Sequence, residues 1–228
     1  MRKYIIFGVA AVLLFSGCHR QQENKVKFSG RILMLGRSVM AGWFEHWGGY
    51  EHVQKEGFDL YYGPMYPPPQ IVQSAISQME AHGVDSSWVV FFKLCFEDFE
   101  GGSQEEARQN LERNKEYVRQ VYAQVKSKGA VIIVGTALPK VCEYTTSYLR
   151  WNHRQYNQWL MDMASSNEDF YVFDMYGVLA DSSGCLRSDY ASSPYDSHPN
   201  DRGYSALDEK FFPFLKGNFQ VGASLPGF

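Results

Sequence analysis

A serine becomes a nucleophile when a neighbouring base takes its proton, and an acid often orients that base. Ser38 and His198 have the side chains and the surroundings for such a pair. Ser38 follows Gly36 and Arg37 directly after the apolar run Ile32-Leu33-Met34-Leu35, at a strand-to-helix junction. A helix that starts there turns its first N–H groups toward a developing anion. His198 lies in the polar loop Ser193-Pro194-Tyr195-Asp196-Ser197-His198-Pro199-Asn200, just before the last helix, where an imidazole is open to solvent. Taken singly, Ser38 reads as a helix cap and His198 as a surface residue. Together, at the two ends of one α/β unit, they read as the nucleophile and base of an acyl-ester-cleaving site.

The elements that must position this pair are visible as alternating patterns. The runs Ile32–Leu35, Trp88–Phe92, Val131–Val134 and Phe170–Phe173 are continuously apolar, as central parallel strands are. Phe58–Tyr62 is a weaker strand candidate. Ile71, Ala75 and Met79 share one helical face after Pro67-Pro68-Pro69, and Gly83 supplies the stop. Ser103-Gln104-Glu105-Glu106 is a capping box opening a long helix, with Ala107, Leu111, Val118, Val121, Tyr122 and Val125 on its apolar side. Tyr148 to Ala164 and Tyr204 to Leu215 read as two more helices. Strand and helix alternate, so the chain is expected to form a three-layer α/β/α sandwich. Ligands bind beyond the carboxyl ends of such strands, which singles out Gly36–Ser38, Lys93–Asp98, Thr136–Pro139 and Asp196–His198.

Leu35-Gly36-Arg37-Ser38 with Val39-Met40-Ala41-Gly42-Trp43 resembles the first block of the SGNH (GDSL-type) hydrolases, where Gly-Asp-Ser supplies the nucleophile. Asp196-Ser197-His198-Pro199-Asn200 with Gly203 is similar to their last block. Phe91 to Asp98 falls where their third block, Gly-x-Asn-Asp, follows a central strand, and it looks like a Lys-Phe-Cys-Tyr-x-Asp branch of the superfamily. Asn152 to Asn157 and the strand ending at Asp174 resemble the run before the last block. The resemblance spans residue 30 onward. It implies a flavodoxin-like parallel sheet and a serine esterase that needs neither metal nor organic cofactor.

The departures from that pattern bear on mechanism. Arg37 replaces an aspartate, so it could hold an anionic substrate group or a neighbouring carboxylate. Cys95 and Glu97 stand at the Gly and Asn positions of the third block, and an ionised Glu97 cannot donate to an oxyanion. Gly63, before Pro64, is the candidate for a second backbone donor, and Lys93 for a replacement one. Losing one donor costs about 10²–10³ in rate. Asp196 precedes His198 by two positions instead of three. If the loop is extended there, the two side chains share a side and can bond; otherwise a backbone carbonyl or Asp189 orients the imidazole.

Arg2 and Lys3 precede an apolar run from Tyr4 to Phe15 that ends in Ser16-Gly17-Cys18, the layout of a secretory signal. Its ending resembles the bacterial lipoprotein signal, which implies lipidation of Cys18, a signal over residues 1–17, a tether over 18–29 and a domain over 30–228. The expected location is the cell envelope, with the membrane touched through the anchor alone. A net charge of −3 with scattered basic residues gives no footprint for nucleic acid. Aromatic residues make up 16% of the chain; the five tryptophans could fill a core or line a sugar cleft. Cys95 reads as a buried free thiol, and Cys142 and Cys185 could pair. The leading expectation is an esterase for O-acyl groups, most naturally O-acetyl, on a carbohydrate or small ester. The alternatives are a non-catalytic binding lipoprotein on the same fold and a carbohydrate O-acyltransferase.

Overall fold

The computed structural model describes residues 25–222; the signal-like segment and Cys18 lie outside them. In chain order the elements are β1 (Val26–Phe28), β2 (Arg31–Gly36), α1 (Ser38–His46), β3 (His52–Lys55), β4 (Phe58–Pro64), α2 (Ile71–Ala81), β5 (Val89–Phe92), α3 (Gln104–Ser127), β6 (Val131–Gly135), α4 (Ser147–Ser166), β7 (Phe170–Phe173), α5 (Met175–Leu179), β8 (Ala191–Ser193), β9 (Asp196–Pro199), α6 (Asp201–Asn218) and β10 (Phe219–Val221). Six strands form the central sheet in the order β3-β4-β2-β5-β6-β7. All neighbours are parallel except the edge strand β3, which runs antiparallel to β4. The five parallel strands, numbered by their own sequence order, run 2-1-3-4-5, the flavodoxin-like order.

Period-two alternation feeds both faces of the sheet. Ile32 and Met34 of β2, with Val89 and Phe91 of β5, point into a core against α1, α5 and α6. Leu33 and Leu35, with Val90 and Phe92, point into a second core against α2, α3 and α4. The result is the three-layer α/β/α sandwich. Trp43 and Trp88 are buried in these cores, and Trp47, Trp151 and Trp159 pack against them, so the tryptophans are structural and do not line a cleft.

Three expectations need correction. The tether assigned to residues 18–29 overlaps the fold: Val26–Phe28 pairs in parallel with Phe219–Val221, and Phe28 is buried, so the folded body includes β1. The capping box at Ser103 is displaced by one residue. Ser103 Oγ accepts the Glu106 N–H at 3.2 Å, while Glu106 accepts from Gly102 N–H at 2.6 Å. The segment carrying His198 is a two-stranded antiparallel ribbon, β8 with β9, in place of a loop.

Candidate active site

β2 delivers Ser38. The strand ends at Gly36, Arg37 is the residue before the helix, and Ser38 is the first residue of α1. Ser38 is exposed, and its N–H belongs to the helix's first turn, which has no intrahelical acceptor. Gly36 must be glycine because a Cβ there would lie 2.8 Å from Met40 Cβ and 3.3 Å from Lys93 Cε. That close approach lets the chain turn sharply from strand into helix above the Lys93 stem.

β9 delivers the other two groups. Its extended backbone puts Asp196 and His198 on one side. His198 Nε2 lies 2.8 Å from Ser38 Oγ, and His198 Nδ1 lies 2.6 Å from Asp196 Oδ1. The same carboxylate oxygen accepts the His198 backbone N–H at 2.9 Å. That backbone bond first, and the imidazole second, hold the Asp196 carboxyl below the ordinary carboxylate value. In the tautomer whose Nδ1–H donates to the Asp196 carboxylate, Nε2 keeps its lone pair and faces the serine hydroxyl. Phe96 packs its ring edge-on to the imidazole, with centroids 5.4 Å apart. Asp189 takes no part: it pairs with Arg187 at 3.1 Å.

The remaining candidates separate. Arg37 Nη2 donates to Asp98 Oδ1 at 2.6 Å, so its partner is a neighbouring carboxylate. Asp98 Oδ2 accepts the Cys95 N–H at 2.8 Å and closes the turn Phe96–Phe99. Burial pushes the Asp98 carboxyl up, and the Arg37 guanidinium pulls it back. Glu97 is exposed on that turn. Lys93 is 2% exposed and enclosed beneath Gly36, with no hydrogen-bond partner for Nζ among the described residues. Burial lowers its pKa to about 8. It is therefore a buried cation under the strand end and not a lining of the cleft, which corrects its assignment as a direct oxyanion donor. Gly63 fails as a donor too. Asp59 and Met65 N–H donate to Gly30 and Gly36 carbonyls of the β2 side, while Tyr62 N–H turns to Glu51. Gly63 has the parity of Asp59 and Met65, so its N–H faces β2 inside the sheet.

Several further residues support the site; Asn114 and Tyr204 carry no motif of their own, while Asn152 and Asn200 lie in the motif-like runs. Asn114 Nδ2 donates to Asp98 O at 2.9 Å, and Asn152 Nδ2 to Phe99 O at 3.1 Å, both buried under the turn. Tyr204 donates to Val39 O at 3.2 Å and ties α6 to α1, while Asn200 caps α6 and bonds Ala191 O at 2.9 Å. Thr136, selected by its strand-end place, bonds Asp174 and the Tyr176 N–H and stays structural. Ser38 and His198 open onto a cleft of about 660 Å3 whose walls include Gly42, Glu45, Ser192, Asp201 and Tyr204. Among the described residues, Cys142, Asp181 and Cys185 come nearest to a metal-ligand cluster. Cys142 and Cys185 are bonded to each other as a disulfide, so they offer no thiolate. Cys95 is free and buried.

The sequence model of the GDSL-like lipase/acylhydrolase family matches residues 80–206, which includes the Phe96 turn, Asp196 and His198 and begins after Ser38. No curated protein matches the chain in sequence. Solved structures match its fold. A GDSL-like lipase from Bacteroides thetaiotaomicron aligns with a TM-score of 0.60 at 12% identity, over 83% of this chain and 89% of its own. A member of the lipolytic G-D-S-L family from Veillonella parvula aligns at 0.56 and 18% identity, over 82% and 98%. An acetylxylan esterase from Geobacillus stearothermophilus, solved as a catalytic mutant, aligns at 0.53 and 15% identity, over 87% and 99%.

Proposed function

Because the chain belongs to the GDSL-like lipase/acylhydrolase family, we propose that it is a serine esterase that removes O-acetyl groups from carbohydrate through an acyl-enzyme on Ser38. The observation that carries this reading is the hydrogen-bonded row Ser38–His198–Asp196, with contacts of 2.8 and 2.6 Å. His198 takes the hydroxyl proton as Ser38 Oγ attacks the ester carbonyl, and it returns that proton to the departing sugar oxygen. Water, deprotonated by the same imidazole, then releases acetate. Asp196 keeps Nδ1 protonated and stabilises the imidazolium that forms.

The charge on the tetrahedral intermediate falls at the start of α1, where the Ser38 N–H and the positive end of the helix meet it. With Gly63 held in the sheet and Glu97 unable to donate when ionised, this oxyanion site is sparse. The enclosed Lys93 ammonium supplies a further positive field from below. A slow enzyme is the consequence, by about 10²–10³ relative to a site with one more donor. Carbohydrate as the alcohol part draws support from the neighbour named an acetylxylan esterase. Export and lipidation at Cys18 belong to the same proposal and would place the site at the envelope surface, where acylated glycans are met. Hydrolysis of 4-nitrophenyl acetate tests the chemistry. Wild-type protein should turn it over, and Ser38→Ala should fall to the background rate; equal rates for the two would refute the reading.

A further inference from the structure

Two further open depressions border the cleft at Ser38 through shared wall residues. The first, about 540 Å3, shares Ser192 with that cleft and runs past Tyr195 to Glu143. The second, about 630 Å3, begins at the same Glu143 and extends along Tyr144 and Lys140 to Glu100 and Glu106. One such space suits a single small ligand, whereas three side by side exceed the size of a simple ester. Side-chain contacts join the far part to the imidazole. Lys140 Nζ lies 5.4 Å from the centres of both the Tyr144 and Phe96 rings, and Phe96 lies against His198.

The walls have a definite chemistry. Tyr195, in the wall of the first depression, is 69% exposed, and Tyr144, in the wall of the second, is 46% exposed, large rings held in water. Flat aromatic faces of this kind accept the C–H face of a sugar ring, while a phenol hydroxyl meets its oxygens. Glu100, Glu106, Glu143 and Asp181 line the extension, and among the described residues its one cation, Lys140, is already paired with Glu100. Carboxylates accept sugar hydroxyl or ammonium protons and repel carboxylate-bearing sugars.

We propose that these depressions form one groove that binds a glycan chain free of acidic sugars and presents one of its O-acyl groups to Ser38, with Tyr144 and Tyr195 as stacking platforms and Glu143 as the residue that excludes polyanionic chains. This names the substrate of the esterase reading and rests on that reading for its catalytic part. Binding separates the two claims, because it is read on Ser38→Ala protein, which needs no turnover. Calorimetry with partially O-acetylated xylo-oligosaccharides should give saturable binding, weakened about tenfold by Tyr144→Ala or Tyr195→Ala. O-acetylated galacturonate oligomers should bind at least about tenfold more weakly, and Glu143→Gln should narrow that gap. Equal binding of the neutral and acidic oligomers, or no loss on removing both rings, would overturn the groove while leaving hydrolysis of small esters untouched.

Discussion

Charge is placed unevenly around Ser38, and each placement has a measurable consequence. Asp196 is about half exposed, so its bond to His198 serves orientation more than stability. Its carboxyl is held below the ordinary value, so the pairing is complete above that value and is lost as pH falls through the lower folded one. Asp196→Asn should therefore cost little stability at neutral pH but lower kcat by about 10²–10⁴, because the wrong imidazole tautomer faces Ser38. Lys93 behaves in the opposite sense. Its pKa in the fold is about 8, below the ordinary lysine value of 10.5, so the unfolded chain binds more protons between those values. The penalty is complete below about 8 and is relieved as pH rises toward 10.5. Lys93→Met should raise unfolding stability by about 1–3 kcal/mol at neutral pH, with the gain shrinking by pH 10, in urea titrations. If the buried cation assists the oxyanion, the same variant lowers kcat for 4-nitrophenyl acetate about tenfold. Arg37 illustrates what residue type alone conveys. Its sign was legible, but its partner Asp98 lies 61 positions away and became apparent only when the Phe96–Phe99 turn closed over β2.

Two contacts between elements hold the site together. The helix α1 approaches α6 closely at Gly42, where a Cβ would lie 2.3 Å from the Tyr204 hydroxyl oxygen. Gly42→Ala should displace that buried ring and destabilise by about 1–3 kcal/mol. Adding Tyr204→Phe should recover part of the loss, a coupling that thermal melts of the single and double variants would reveal. The second contact is the disulfide. Cys142 and Cys185 join segments in which Leu186 N–H donates to Lys140 O at 2.7 Å and Val141 N–H donates to Ser197 Oγ at 3.1 Å. Ser197 sits between Asp196 and His198, so the bridge braces β9 from behind. Reduction, or Cys142→Ser with Cys185→Ser, should cost about 2–4 kcal/mol and lower kcat as well as the melting temperature. The sheet strands and the long helices were legible because their apolar periods are strong, as in Val131–Val134 or along α3. The β8–β9 ribbon and β3 were not. Both are short and mostly polar, and their partners rather than their composition make them strands.

For the whole molecule, one topology explains why distant segments meet. The parallel strands all deliver their carboxyl ends to one edge of the sheet, so the ends of β2 and β5 and the ribbon before α6 converge there. That rule made the location of Ser38 and His198 readable from strand-end placement and block order, 160 positions apart yet with Nε2 and Oγ only 2.8 Å from each other. The failure of Gly63 and Lys93 as further oxyanion donors was not readable, because the ladder parity of Gly63 and the enclosure of Lys93 depend on neighbouring strands. The N-terminal boundary was misplaced for a similar reason, since Val26–Phe28 is polar-flanked sequence that becomes structure only by pairing with β10. Among the described residues no helix is long and apolar enough to cross a membrane. The central claim is that Ser38 is a nucleophile activated by His198, and organophosphonate labelling followed by peptide mass analysis tests it most directly. The account predicts one adduct, on Ser38, that His198→Ala slows by orders of magnitude. A folded protein that stays unlabelled, or that carries the adduct on another residue, would contradict it.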